Sequence, residues 1–121
     1  GVPRTISFDR VHFDQIVGNL LTNAFRYGAE PVQVSVTHDE GTVDVVVTDA
    51  GPGVSPEQVD TLFARFSRTG ARQAAARGTG FGLYLASRLA EAGGAGLSYR
   101  PPQDGVPHAF VLSVPLSEPR G

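Results

Sequence analysis

The chain has 121 residues, and its 10 Lys and Arg against 12 Asp and Glu give a net charge of -2. That length suits one compact domain with a single core, and the slightly acidic balance argues against a basic surface made for nucleic acid or an anionic membrane. Cys is absent, which excludes disulfides and thiolate metal sites; no apolar run approaches the roughly 18 residues that cross a bilayer, and residues 1–10 carry no signal-peptide pattern.

The opening on Gly1 rather than Met suggests a segment of a longer protein. The first periodic segment is residues 9–27, where Phe13, Ile16, Val17, Leu20 and Ala24 recur at helical spacing behind Asp9, a good N-cap. Gly28 and Pro31 should stop this helix. Two β-rich runs, 32–37 and 43–49, follow around the turn residues His38-Asp39-Glu40-Gly41 and read as a hairpin. Ser55-Pro56-Glu57-Gln58 has a capping Ser, Pro at the first helical position and Gln three after the cap, so a second helix is expected to about residue 64.

Residues 67–78 are rich in Arg, Gly, Ala and Gln without an apolar stripe, the composition of a loop, and we read them as a lid. A third helix is expected over 80–92, ended by Gly93-Gly94, and two further strands over 96–100 and 108–114. The order α, β, β, α, α, β, β is neither alternating βαβ nor all-β. It predicts an α+β fold: a two-layer α/β sandwich whose mixed, mostly antiparallel sheet of about five strands carries three helices on one face and a flexible lid.

Three groups of residues carry chemistry. Asn19, Asn23, Arg26 and Tyr27 stand at i, i+4, i+7 and i+8, on an arc of about 100° beside the apolar stripe of the first helix. Two amides, a guanidinium and a phenol so aligned offer oxygen ligands for a hard cation, a phosphate partner and a flat surface with a polar end; a solvated polar face is the alternative. Asp49-Ala50-Gly51-Pro52-Gly53 ends an apolar strand with a carboxylate and two glycines. Such a carboxylate can accept from an exocyclic amine, which separates adenine from guanine, although Asp and Gly also make ordinary turns.

Gly78-Thr79-Gly80-Phe81-Gly82-Leu83 leads into a helix whose first N–H groups can receive phosphate oxygens; a glycine hinge is the alternative. A dinucleotide-binding loop is excluded because no strand directly precedes it and the spacing is GxGxG, and a Walker loop because the Gly-rich segments contain no Lys.

In this order the elements resemble the catalytic ATP-binding domain of bacterial sensor histidine kinases. Residues 9–27 look like its asparagine box, Asp49, Gly51 and Gly53 like its first glycine box, Leu62-Phe63-Ala64-Arg65-Phe66 like its phenylalanine box, and Gly78, Gly80 and Gly82 like its second glycine box. Single motifs are weak, but four in register cover nearly the whole chain.

The resemblance implies ATP and Mg²⁺ as cofactors. Asn23 would bind the metal with Asn19 beside it, Arg26 and Arg68 would meet the phosphates, Tyr27 would lie against adenine, and Asp49 would accept from its amine. Gly51, Gly53, Gly78, Thr79, Gly80, Gly82 and Leu83 would complete the nucleotide site. Ala50 stands where Asn or Thr is more frequent, and the lid is short. The resemblance extends to the ATPases of type II topoisomerases, the heat-shock chaperone and the mismatch-repair protein, which hydrolyse ATP with a Glu at the position of Asn19. An amide cannot take a proton at neutral pH, so transfer to another acceptor is favoured over hydrolysis.

The resemblance implies as partners a dimerisation domain bearing the phosphoacceptor His, expected upstream, and a response regulator. It implies no nucleic acid, no membrane contact by this domain and a cytoplasmic location, whether or not the parent protein is an inner-membrane sensor. His38-Asp39 has the dipeptide of a phosphoacceptor but falls in the hairpin turn, and His12 and His108 read as structural or surface residues. Arg65, Arg68, Arg72 and Arg77 lack interleaved aromatics beyond Phe66, so they suit a phosphate-sensing lid better than a nucleic-acid patch. Two alternatives share the boxes: a serine-protein kinase of the anti-sigma-factor type, against which the phenylalanine box speaks, and a degenerate docking module, against which the intact Asn23, Asp49 and glycine boxes speak.

Overall fold

The computed structural model describes residues 5–6, 8–39, 41–54 and 81–117. The expected second helix, the phenylalanine box, the lid with Arg65, Arg68, Arg72 and Arg77, and Gly78, Thr79 and Gly80 lie outside the described residues.

Helix α1 spans Arg10–Tyr27. It begins where expected because the Asp9 side chain accepts from the His12 N–H at 3.0 Å, satisfying one of the donors that a helix start leaves open. It ends at Gly28, whose N–H donates to the Ala24 carbonyl at 2.9 Å. The inward stripe of Ile16, Leu20 and Ala24 is buried. Burying side chains of the Ile or Leu kind is worth about 1.5–3 kcal/mol each.

Strands β1 (Thr5–Ile6), β2 (Gln33–His38), β3 (Thr42–Thr48), β4 (Gly96–Arg100) and β5 (Ala109–Ser117) form one sheet, and helix α2 covers Phe81–Ala92. The path runs β1-β5-β3-β2, with β4 also paired to β5. Every pairing is antiparallel, so the mixed sheet expected from sequence is antiparallel throughout the described residues. β3 and β5 are its centre, registered as Val45 with Leu112 and Val47 with Phe110. Those four residues and Val114 meet Ile16, Leu20 and Ala24 of α1 and Leu83, Ala86 and Ala90 of α2 in a single core. Both described helices therefore lie on one face of the sheet.

Two strand features depart from the sequence reading. β1 was not foreseen, and β5 runs three residues past the expected end at Val114, through Pro115. The Leu116 N–H points to β3, donating to the Gly41 carbonyl at 3.0 Å, so an N–H at position 115 would point to the opposite edge. There the partners of β4 end at Ser113 and those of β1 begin at Leu116. Pro115 occupies the gap between two strands sharing that edge, where its missing donor costs no ladder bond.

Candidate functional site

The site is built where α1 ends against the far end of β3. β3 finishes at Thr48, and the next side chain, Asp49, is 3% exposed. An ionised carboxylate so buried must be compensated by donors. Three converge on its Oδ1: the Gly51 N–H at 2.7 Å, His108 Nε2 at 2.8 Å and the Ala29 N–H at 3.3 Å. No donor among the described residues reaches Oδ2. The Ala50 N–H donates to the Ala29 carbonyl at 2.8 Å and clasps the two chain segments together.

Glycine is required here by crowding. A Cβ at Gly28 would fall on the Asp49 carboxylate, and one at Gly51 would come within 2.8 Å of Oδ1 and 3.2 Å of the Gly28 Cα. Gly53 has φ +84°, and a Cβ there would lie 2.8 Å from the Tyr99 hydroxyl. That hydroxyl accepts from the Val54 N–H at 2.8 Å and lies 3.0 Å from Nδ1 of His108. At Gly51 and Gly53 the missing Cβ lets backbone approach a carboxylate and a phenol of the chain itself.

Asn19, Asn23, Arg26 and Tyr27 occupy the later turns of α1, leading into this clasp. Asn19 and Asn23 are half-buried and Arg26 is exposed. Ile16, fully buried, falls on the same arc by helical periodicity, so the polar line shares an edge with the apolar stripe rather than standing wholly beside it. The Asn23 carboxamide has no hydrogen-bond partner among the described residues, leaving its oxygen available to a hard cation. Gly82 and Leu83 lie in the first turn of α2. The Leu83 side chain is 4% exposed and belongs to the core, so what it can offer a ligand is its backbone N–H.

Sequence reasoning missed four participants: Gly28, Ala29, Tyr99 and His108. Gly28 read only as a helix stop and His108 as a structural or surface residue. His108 is structural in being buried, at 5% exposed, but its ring bridges the Asp49 carboxylate and the Tyr99 hydroxyl. The Tyr-Gly step after the asparagine box was the available signal for Gly28; nothing in the sequence signalled His108.

Residues 8–118 match the family described as histidine kinase-, DNA gyrase B-, and HSP90-like ATPase. The chain belongs to that family. It is 30% identical over 118 residues to the sensor protein SrrB of Staphylococcus aureus, covering 95% of this chain and 20% of SrrB. It is 38% identical over 88 residues to the histidine protein kinase DivJ of Caulobacter vibrioides, covering 71% of this chain and 15% of DivJ. The chain therefore spans a fifth or less of these curated relatives.

Among solved structures, full-length ShkA in complex with AMPPNP shares 28% identity with a TM-score of 0.74, over 98% of this chain and 24% of that one. The mycobacterial sensor histidine kinase MprB shares 26% identity with a TM-score of 0.69, over 94% and 76% of the two chains. The ATP-binding domain of PrrB from Mycobacterium tuberculosis, at 24% identity and a TM-score of 0.72 over 97% and 78%, has the same fold. The α+β architecture and the likeness to sensor-kinase ATP-binding domains expected from the boxes are both present. No described helix is long and apolar enough to cross a membrane.

Proposed function

We propose that this chain binds Mg²⁺-ATP and donates the γ-phosphoryl group to a histidine on a separate dimerisation domain, as the catalytic part of a two-component sensor kinase. The observation that carries the nucleotide reading is the Asp49 carboxylate: buried, with Oδ1 saturated by three donors and Oδ2 left to accept. An acceptor at the base of a site, set against the 6-position of a purine, accepts from the amine of adenine and opposes the carbonyl of guanine. Family membership and the likeness to named sensor kinases support the same reading.

The Asn23 carboxamide fits Mg²⁺ as one oxygen ligand among several waters, and the ion, when bound, would neutralise phosphate charge. Arg26, about one turn further along α1, is proposed to meet the phosphates, and Arg68 is proposed for the γ-phosphate. Tyr27 is proposed to lie against the base, and the second glycine box to receive phosphate oxygens. Phosphoryl transfer asks a protein mainly for positioning and charge neutralisation, and these residues supply both. Asn19 supplies no general base for water, which favours a protein acceptor over hydrolysis. The domain would act in the cytoplasm, opposite the dimerisation domain and response regulator of its parent kinase.

Calorimetric titration with AMPPNP, with and without Mg²⁺ and repeated with a GTP analogue, tests the binding. Adding a sensor-kinase dimerisation domain and following labelled γ-phosphate then tests the transfer. Absence of adenine-nucleotide binding, or labelling of serine rather than histidine, would overturn the proposal.

A further inference from the structure

His108 and Tyr99 belong to none of the four boxes, yet both are tied to Asp49. Their donor and acceptor roles follow from chemistry. An ionised carboxylate only accepts, so the 2.8 Å contact between Nε2 of His108 and Oδ1 of Asp49 puts a proton on Nε2. The Tyr99 oxygen accepts from the Val54 N–H at 2.8 Å, and its own hydrogen can turn toward Nδ1, 3.0 Å away. A continuous relay results: Val54 N–H to Tyr99, Tyr99 O–H to Nδ1, Nε2–H to Asp49. In it each of these polar groups has its complement.

The relay is rigidly housed. Tyr99 and Phe110 are paired in register across β4 and β5, with ring centroids 5.1 Å apart, and the Tyr99 and His108 rings meet edge to face at 5.5 Å. Gly53 lets the phenol approach the backbone. A carboxylate turns readily about its last bond, because such terminal torsions are broad. Of the two backbone donors that hold Oδ1, one is long at 3.3 Å. His108 adds the only side-chain donor on that oxygen among the described residues.

We propose that His108 is a positioning residue for nucleobase selection: its Nε2–H, on a ring whose other nitrogen is held by the Tyr99 hydroxyl, locks Oδ1 of Asp49 and so presents Oδ2 to the exocyclic amine of the base. This rests on the reading of Asp49 as the base acceptor and adds the device that gives that acceptor its direction. A ligand contact is as selective as the support behind it.

The test is calorimetric titration of the 121-residue chain with ATP and GTP, wild type beside His108→Leu, His108→Gln and Tyr99→Phe. His108→Leu should bind ATP about tenfold more weakly, ~1.4 kcal/mol, and lose most of its preference over GTP. His108→Gln, which can keep an N–H donor near the Nε2 position, should recover most of both. Ring-nitrogen NMR near neutral pH should show wild-type His108 protonated on Nε2 and not on Nδ1, and Tyr99→Phe should keep that tautomer, which Asp49 selects, while losing the hydroxyl that holds the ring in place.

Wild-type ATP affinity and selectivity in folded His108→Leu would overturn the proposal, as would a wild-type ring protonated on Nδ1. Should the Leu variant fail to fold by circular dichroism, His108→Gln and Tyr99→Phe carry the test: lost selectivity in Tyr99→Phe with recovery in His108→Gln supports it, and unchanged selectivity in both overturns it. If the wild type binds neither nucleotide, the reading of Asp49 itself falls. If wild type and His108→Leu bind ATP alike, only the positioning role does.

Discussion

Nε2 of His108 lies 2.8 Å from Oδ1 of Asp49 across 59 positions of sequence, in a site where both side chains are almost wholly buried. The contact joins the residue just after β3 to the residue just before β5, so the two central strands of the sheet also hold the one buried carboxylate among the described residues. The same strands carry Val45, Val47, Phe110 and Leu112 into the core. The strands that build the core are therefore also the ones that bring Asp49 and His108 together.

Asp49→Asn should erode the preference for ATP over GTP as well as weaken ATP binding. The asparagine oxygen can take the place of Oδ1 and keep its donors from His108, Gly51 and Ala29. Its amide nitrogen then stands where Oδ2 was and presents donors to the amine of adenine, which also donates. ATP affinity should fall about tenfold or more, since a mismatched buried polar pair costs about 1–3 kcal/mol. GTP, with a carbonyl at that position, should lose far less. Titration of both nucleotides against both proteins measures it, and an unchanged ratio would remove Asp49 from base recognition.

Gly28→Ala and Gly18→Ala form a matched pair with opposite outcomes. Gly28 has an ordinary φ of -96°, so the backbone accepts alanine, but the new methyl would fall on the Asp49 carboxylate. Overpacking of this kind costs about 1–3 kcal/mol and would displace the acceptor, so stability and ATP affinity should fall together. Gly18 lies within α1 with nothing within 4 Å of its Cβ position. Alanine there should stabilise by about 0.5–1 kcal/mol and leave binding unchanged. Urea denaturation and nucleotide titration of the two variants check both halves.

What could be read from the chain beforehand follows from how local each signal is. α1 was legible from end to end because a cap at Asp9, a period at Ile16, Leu20 and Ala24, and a stop at Gly28 all lie within one segment. β4 was legible to the residue. β1 was not, because two residues carry no period and the strand exists only through its pairing with Ser117 and Leu116. Pro115 hid the end of β5 because the gap it fills is a property of two other strands. Asp49 and its glycines were legible as a motif, while His108 and Tyr99 were not: a lone His before a strand and a Tyr within one look like any others until the sheet brings them together.

Asn23→Ala should separate metal dependence from base recognition. Its carboxamide is half-buried and without a hydrogen-bond partner among the described residues, so its loss orphans nothing in the fold. Stability should change by less than about 1 kcal/mol. On the proposed reading, the Mg²⁺-dependent part of ATP affinity should vanish while the preference over GTP, set at Asp49, persists. Calorimetry at fixed nucleotide with and without Mg²⁺ shows this directly, and equal metal dependence in the two proteins would remove Asn23 from the metal site.

Asp9 gives the fold one acid-sensitive contact whose direction can be worked out. The hydrogen bond from the His12 backbone holds its carboxyl below the ordinary aspartate value, against a smaller opposing effect of desolvation. A group whose value is lower in the folded than in the unfolded chain stabilises the fold above the unfolded value, about 3.9 for aspartate. That contribution is lost as pH falls through the lower folded value, where the protonated side chain no longer offers the helix start a charged acceptor. Asp9→Ala should therefore melt below the wild type near neutral pH, with the gap steady down to about pH 4 and closing beneath it. Asp9→Asn keeps an oxygen acceptor without the titration, so it should retain much of the cap and show a gap to the wild type that also narrows in acid. Thermal melts of the three proteins across that range decide the matter, and a gap between wild type and Asp9→Ala that widens as pH falls would show that the capping bond is not its source.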